Sequence, residues 1–231
     1  MKLLTVSTIL LILLLGISGA VSLESEYLIS GKTEYGDYYG NLEINSYGEG
    51  YEVYWEISSG EIYYGIGLTQ QDYLAVAYCD EGYSTIGIVL YKVGEDILNG
   101  LWAAPGDPPV IGTEVAYSGE EPEVTPLSVS THPDLSGTYQ VEGNNPDGSE
   151  YLAEVVLKDY HGLYLVEFYL DDYSIFGFGL CHQDQFLVGW FEQEQMVFGV
   201  SLLELEDEEN LSGPWILYGN DGLGYEYWTK Q

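Results

Sequence analysis

The chain has 231 residues, and its 38 acidic residues against five lysines give a formal net charge of −33. Binding to nucleic acid or to an anionic membrane surface requires a cationic footprint, so both classes of partner are excluded. The acids are scattered along the chain, which favours a solvation role in salty surroundings over recruitment of a cationic partner, although both interpretations remain open.

The first 20 residues have the pattern of a signal peptide. Lys2 is followed by an apolar run from Leu3 to about Leu15, and the small residues Ser18-Gly19-Ala20 form a cleavage site. The run is shorter than the roughly 20 residues that span a bilayer. We therefore expect a secreted, periplasmic or cell-surface protein, with an uncleaved anchor as the alternative.

The rest of the chain predicts only β-strands. Glycine and tyrosine are abundant, at 29 and 23 residues, and segments with a helical period are absent. Turn residues divide the first half into strands near 31–36, 38–45, 51–58, 62–69, 73–79, 84–93, 97–104 and 110–117. They divide the second half into strands near 137–143, 151–159, 163–170, 173–181, 185–192, 195–206, 210–218 and 223–230.

The two halves are copies of one repeat, because the chain matches itself at an offset of 112 to 113 residues. The shared patterns are Tyr-x-Val-x-Trp/Phe, Gly-x-Gly, Leu-x-Gly-x-Trp and Gly-x-Glu. A segment rich in Pro, Ser, Thr and Glu lies between the copies. We therefore predict a first repeat at 27–117, a linker at 118–135 and a second repeat at 136–231.

Alternation within the strands indicates sheets that are apolar on one face. Eight meandering strands can hide their edges by closing, so the sequence predicts two tandem antiparallel β-barrels of about eight strands each. In the second copy several apolar residues fall on the outer face, and we expect this face to pack against the first copy, with an oligomer partner or a ligand as the alternatives. They are Leu152, Val156, Leu165 and Tyr169.

These patterns resemble a repeat of uncharacterised exported bacterial proteins. The opening Gly137-Thr138-Tyr139, which the first copy replaces with Gly31-Lys32-Thr33, is also similar to avidin and to lipocalin-like barrels. The resemblance implies an up-and-down barrel topology. It implies no activity and no biotin or lipid site.

Catalytic, metal and cofactor sites are not predicted. The adjacent pair Cys181 and His182 would point to opposite faces of a strand, and no Cys/His spacing fits zinc. Cys79 and Cys181 could form one disulfide or stay as free buried thiols. Glu114 and Glu226 recur at matching positions, where a hydrogen bond that closes the barrel is favoured over a glycosidase carboxylate.

Ligand-binding candidates are the aromatic residues on predicted inward faces, since a barrel of this size is either filled by side chains or holds one small ligand. They are Trp55, Tyr78, Trp102, Trp190 and Trp215. We therefore expect an exported, non-enzymatic binding or interaction protein whose partner is a small molecule or a protein. The alternatives are an acidic structural component of the cell envelope and a glycan-directed hydrolase.

Overall fold

A computed structural model of the chain describes residue 23 and residues 25–131, 134–170, 173–192, 197–207 and 209–231, so the predicted signal peptide lies outside the described residues. The predicted fold is confirmed: two closed antiparallel barrels, each of eight strands joined in sequence order. Among the described residues, no helix is long and apolar enough to cross a membrane.

The strands follow the turn signals of the sequence. The first barrel contains β1 (Ser25–Thr33), β2 (Gly36–Tyr47), β3 (Gly50–Ile57), β4 (Ile62–Gln70), β5 (Tyr73–Asp80), β6 (Ile86–Val93), β7 (Ile97–Ala104) and β8 (Val110–Tyr117). The second contains β9 (Gly137–Asn144), β10 (Glu150–Tyr160), β11 (Leu163–Tyr169), β12 (Ser174–His182), β13 (Gln185–Glu192), β14 (Val197–Leu205), β15 (Asn210–Leu217) and β16 (Gly224–Lys230).

The first strand starts at Ser25, six residues earlier than predicted. The prediction aligned Gly31 with Gly137, but the pairing of β1 with β2 puts Gly31 opposite Tyr38, and that of β9 with β10 puts Gly143 opposite Tyr151. Gly31 is therefore equivalent to Gly143. The prediction failed because equivalent glycines can be identified only from their cross-strand neighbours, which the sequence does not give.

The barrels pack against each other through strands that are apolar on both faces. β4, β5 and β6 contact β13, β14 and β15, so these strands bury one face inside a barrel and the other between the barrels. Gly189 lets the walls approach closely, because a Cβ there would lie 2.3 Å from Cγ2 of Ile88. We call the buried residues at this contact the interface cluster: Ile66, Leu68, Tyr73, Ala75, Ala77, Cys79, Ile88, Leu90, Leu101, Ala103, Leu163, Phe178, Leu180, Leu187, Phe198, Val200, Leu202 and Ile216.

The predicted packing face of the second copy is wrong. Leu152, Leu165 and Tyr169 are exposed, at 64%, 40% and 42%, and they lie outside the interface cluster. The continuous apolar runs of β5 and β14 supply the contact instead. A strand buried on both faces lacks the alternation from which the prediction started.

Part of the linker lies across both barrels. The backbone carbonyl of Thr125 accepts a hydrogen bond from Asn99 of β7 at 2.9 Å. The Ser130 N–H donates to the carbonyl of Cys181 at 2.7 Å, and Nδ1 of His182 lies 2.7 Å from the carbonyl oxygen of Ser128. The linker is therefore held by hydrogen bonds to β7 and β12.

The two cysteines are free and buried in different places. Cys79 belongs to the interface cluster, whereas Cys181 lies inside the second barrel. The disulfide alternative is therefore not realised. Burial raises the pKa of both thiols to about 11, so the thiolate is scarce at neutral pH.

Neither thiol should react while the protein is folded. We expect Ellman's reagent at pH 8 to label Cys79 and Cys181 slowly in the native protein, because the thiolate is both scarce and inaccessible. Denaturation in guanidinium should release two equivalents at once. Rapid labelling of the native protein would contradict the burial of both side chains.

Candidate functional site

The first barrel has a cavity of about 290 Å³ at the end where the β1–β2, β3–β4, β5–β6 and β7–β8 turns lie. We call it the first cavity. One carboxylate, Glu114 of β8, lies deep inside it, and a second, Glu61, lies in the β3–β4 turn. Its six aromatic rings come from β2 to β7, one from each strand: Tyr38, Trp55, Tyr63, Tyr78, Tyr91 and Trp102.

Three of these rings lie flat against glycines of the neighbouring strand. A Cβ on Gly31 would come within 2.0 Å of the Tyr38 ring, and a Cβ on Gly87 within 2.1 Å of the Tyr78 ring. A Cβ on Gly112 would lie 2.4 Å from the Trp102 indole. Each glycine therefore lets a ring rest on the barrel wall rather than cross the mouth.

The second barrel repeats this arrangement around a larger cavity of about 610 Å³, the second cavity. Tyr151 covers Gly143, where an added Cβ would lie 2.1 Å from the ring, while Trp190 covers Gly199 at 2.2 Å and Trp215 covers Gly224 at 2.1 Å. The lining of the second cavity includes five aromatic rings and two glutamates: Tyr151, Phe168, Tyr173, Trp190, Trp215, Glu192 and Glu226.

The buried carboxylate of the first cavity accepts three hydrogen bonds. Oε2 of Glu114 accepts one from the Tyr38 hydroxyl at 2.8 Å. Oε1 accepts one from the Trp55 indole N–H at 3.2 Å and another from the Tyr91 hydroxyl. These donors stabilise the ionised form, and each comes from a different strand, so the carboxylate ties β2, β3 and β6 to β8.

Glu226 makes equivalent contacts with a different indole. Tyr151 donates to its Oε1 at 2.6 Å, as Tyr38 does to Glu114, while the Trp228 indole N–H donates to Oε2 at 3.1 Å. Trp228 lies on β16, whereas Trp55 lies on β3. Both barrels therefore join one indole to one carboxylate, but the indole comes from a different strand in each.

Burial raises the pKa of Glu114 and Glu226 above the ordinary range of a glutamate, and the hydrogen bonds they accept only partly offset this. Burial and the neighbouring carboxylates also raise the pKa of Tyr38 and Tyr151. The tyrosines therefore stay protonated and donate at all physiological pH values.

The raised carboxyl pKa values predict a protein that is more stable in mild acid. Stability from a group with a raised folded-state pKa is fully present below its unfolded pKa and is lost as pH rises through the folded value. The net charge of −33 acts in the same direction, because protonation lowers self-repulsion. We expect a higher urea midpoint at pH 5 than at pH 8.

The E114Q/E226Q double variant isolates the two buried groups from the exposed acids, whose contributions are common to both proteins. Its midpoint should change less between pH 5 and pH 8 than that of the wild type. An equal change in the two proteins would contradict the raised pKa values.

Gly112→Ala tests the ring positions. The added methyl group would overlap the Trp102 indole and force it away from the wall, since the barrel backbone cannot yield. Overpacking of this kind costs about 1–3 kcal/mol. We expect a destabilised protein with altered tryptophan fluorescence, whereas Gly82→Ala, where the nearest atoms to an added Cβ are 3.9 and 4.0 Å away, should leave the stability and the fluorescence unchanged.

All five predicted ligand-binding residues line the two cavities. Trp55, Tyr78 and Trp102 line the first, and Trp190 and Trp215 line the second. Their role in binding stays a prediction. The hydrogen bonding predicted for Glu114 and Glu226 is confirmed, but the sequence interpretation missed the partners Tyr38 and Tyr151, although both recur at the repeat offset.

Two buried indole N–H groups face a tyrosine hydroxyl, that of Tyr38 or that of Tyr151, without completing a hydrogen bond of good geometry among the described residues. They belong to Trp102 and Trp215, which occupy equivalent positions in the two barrels and line the two cavities. A buried donor left without a partner costs free energy. A molecule in either cavity could supply the acceptor.

Within the part of the chain that the structure describes, no group of three or more His, Cys, Asp or Glu side chains could hold a metal ion.

No protein-family model and no curated protein matches the chain. One solved structure to which it is similar is a protein of unknown function from the DUF3598 family of Nostoc punctiforme. The identity is 11% and the TM-score 0.33, over 89% of this chain and 94% of that chain. The resemblance to exported bacterial repeats, avidin and lipocalins stays a prediction.

Proposed function

We propose that the protein is an exported, non-enzymatic binding protein whose barrels take small molecules at their open ends. The observation that carries the proposal is the first cavity, where six aromatic rings surround a space of about 290 Å³. Ligand sites are concave, mostly apolar and furnished with a few polar groups, and they begin at about 300 Å³. A barrel serving only as a spacer has no need of a mouth kept open by flat rings.

The second cavity supports the same proposal. It combines aromatic walls with one deeply buried glutamate, as the first does. Glu114 and Glu226 accept hydrogen bonds from neighbouring side chains, which suits a fixed polar floor better than a carboxyl group that exchanges protons with a substrate.

Native mass spectrometry of the exported protein tests the proposal. The chain would be produced with its full N-terminal segment in a bacterial host, and we expect a bound molecule of low mass. Titration with the neutral fluorophore N-phenyl-1-naphthylamine would then detect the cavities directly through quenching of tryptophan fluorescence.

Ala104→Trp should reduce this quenching by filling the first cavity, to whose lining Ala104 belongs. Asn41→Trp, on the exposed outer face of β2, is the matched control and should bind as the wild type does. A mass equal to that of the chain alone, together with no quenching, would overturn the proposal and favour the structural alternative.

A further inference from the structure

The two cavities share an unusual charge balance. The described residues of their linings include aromatic rings and glutamates but no lysine, arginine or histidine. The face of an aromatic ring carries a negative potential, which attracts ammonium groups within about 6 Å of its centre. The ring faces and the carboxylates would repel an anionic ligand and attract a cation.

The rings of the first cavity stand at angles that let several faces contact one small ion. Tyr78 makes an angle of 49° with Trp55 and of 71° with Tyr63, and each pair of ring centres is 5.5 Å apart. Tyr38 and Trp102 form a further edge-on pair at 6.2 Å. The six strands β2 to β7 thus supply one ring each, and the paired rings meet at an angle, as in an aromatic cage, rather than in a parallel stack.

The second barrel reaches a similar composition, with five rings and two glutamates, by different positions. Its mouth glutamate, Glu192, lies at the end of β13, whereas Glu61 lies in the turn before β4. Tyr63 is equivalent to Ile175 on β12, and Tyr173 supplies the additional ring from the β11–β12 turn. Both cavities therefore combine aromatic rings with two glutamates, although some of these residues do not occupy equivalent positions in the two barrels.

From these observations we propose that each cavity binds an organic ammonium ion, with alkyl groups on its nitrogen that contact the rings and with the buried glutamate as counter-ion. The inference rests on the proposed binding function and names its ligand class. The net charge of −33 contributes by steering cations towards the protein.

Binding should be linked to protonation of the buried glutamate. A bound cation favours the ionised form of Glu114, so the affinity should fall as pH falls through the pKa of that carboxyl. The titratable groups facing it are the hydroxyls of Tyr38 and Tyr91, with Tyr78 beyond them, and burial raises the pKa of all three. Glu61, whose pKa is lowered by hydrogen bonds, stays ionised at the mouth.

Three isosteric probes separate charge from shape: choline, the neutral 3,3-dimethyl-1-butanol and the anionic 3,3-dimethylbutanoate. By calorimetry at pH 8 we expect choline to bind two sites per chain at least tenfold more tightly than the alcohol, and the acid not to bind. The choline affinity should fall at pH 5 while that of the alcohol stays constant. The measurements are made in 0.5 M NaCl, where general attraction to an acidic protein is screened.

Each outcome of the probe series decides a different point. Equal binding of choline and the alcohol would overturn the ammonium inference and leave the binding function standing. Binding of none of the probes, with a low-mass molecule present in the exported protein, would assign the cavities to another ligand class.

Variants assign the sites. Glu114→Gln should reduce choline binding from two sites to one, and Glu226→Gln should do the same for the other barrel. Circular dichroism would verify folding.

Tyr63→Leu, near the mouth of the first cavity, is a second test and should weaken choline binding there about two- to fivefold, as loss of one cation–π contact predicts. Tyr35→Leu, at a side chain that is 74% exposed, is its matched control. Unchanged choline binding in both Glu114→Gln and Tyr63→Leu would overturn the assignment.

Discussion

Glu114→Ala is expected to lower the free energy of unfolding by about 3 kcal/mol or more. The substitution leaves the hydroxyls of Tyr38 and Tyr91 and the indole N–H of Trp55 without their acceptor. Each buried donor without a partner costs about 1–3 kcal/mol, while the removed desolvation of the carboxylate offsets part of the sum. Urea denaturation at pH 7 measures the difference.

Glu114→Gln is the matched control for this prediction. The amide oxygen can occupy the position of Oε1 and keep the bonds from Trp55 and Tyr91, while its NH₂ group donates to the Tyr38 hydroxyl, which can accept as well as donate. We expect a loss below about 1.5 kcal/mol. If alanine and glutamine gave equal losses, the carboxylate would not be holding its three neighbours.

Leu202→Asp is expected to separate the barrels and to cost about 4 kcal/mol. Leu202 is fully buried in the interface cluster on β14, which packs against β4 and β5. A carboxylate there would have to be desolvated without a partner or be kept protonated. Calorimetry should show two transitions where the wild type shows one, because the barrels would lose their shared apolar contact.

Limited proteolysis adds a second readout, since the linker is held by hydrogen bonds to both barrels and should be cut between 118 and 131 once they separate. Leu152→Asp places the same residue on the exposed outer face of the same barrel and should change stability by no more than about 0.5 kcal/mol. A single transition and an intact linker in Leu202→Asp would show that the barrels do not depend on this contact.

The sequence predicts the barrels well because strand alternation and turn residues are local signals. It also places Trp55, Tyr78, Trp102, Trp190 and Trp215 inside, since their positions follow from strand parity. What it does not predict depends on cross-strand neighbours, which no single strand reveals.

The missed features illustrate this limit. The pairing of Gly31 with Tyr38 needs the register of β1 on β2, and the three donors of Glu114 come from strands 23 to 76 residues away. The packing face was misplaced because apolar residues on an outer face do not show which surface they contact. The contact between the barrels lies instead on strands that are apolar on both faces and lack alternation. The cavities likewise follow from ring orientation, which a sequence pattern does not contain.

The indole that donates to the buried glutamate comes from β3 in the first barrel and from β16 in the second. This difference disfavours incorrect pairing between strands of the two copies. Tandem copies can trade equivalent strands during folding. A hybrid barrel with β3 of the first copy and β16 of the second would crowd Trp55 and Trp228 into a space that holds one indole. The reciprocal hybrid would combine Phe168 with Ala116 and offer its carboxylate no indole at all. Each barrel therefore has one indole beside its buried carboxylate only when all of its strands come from the same copy.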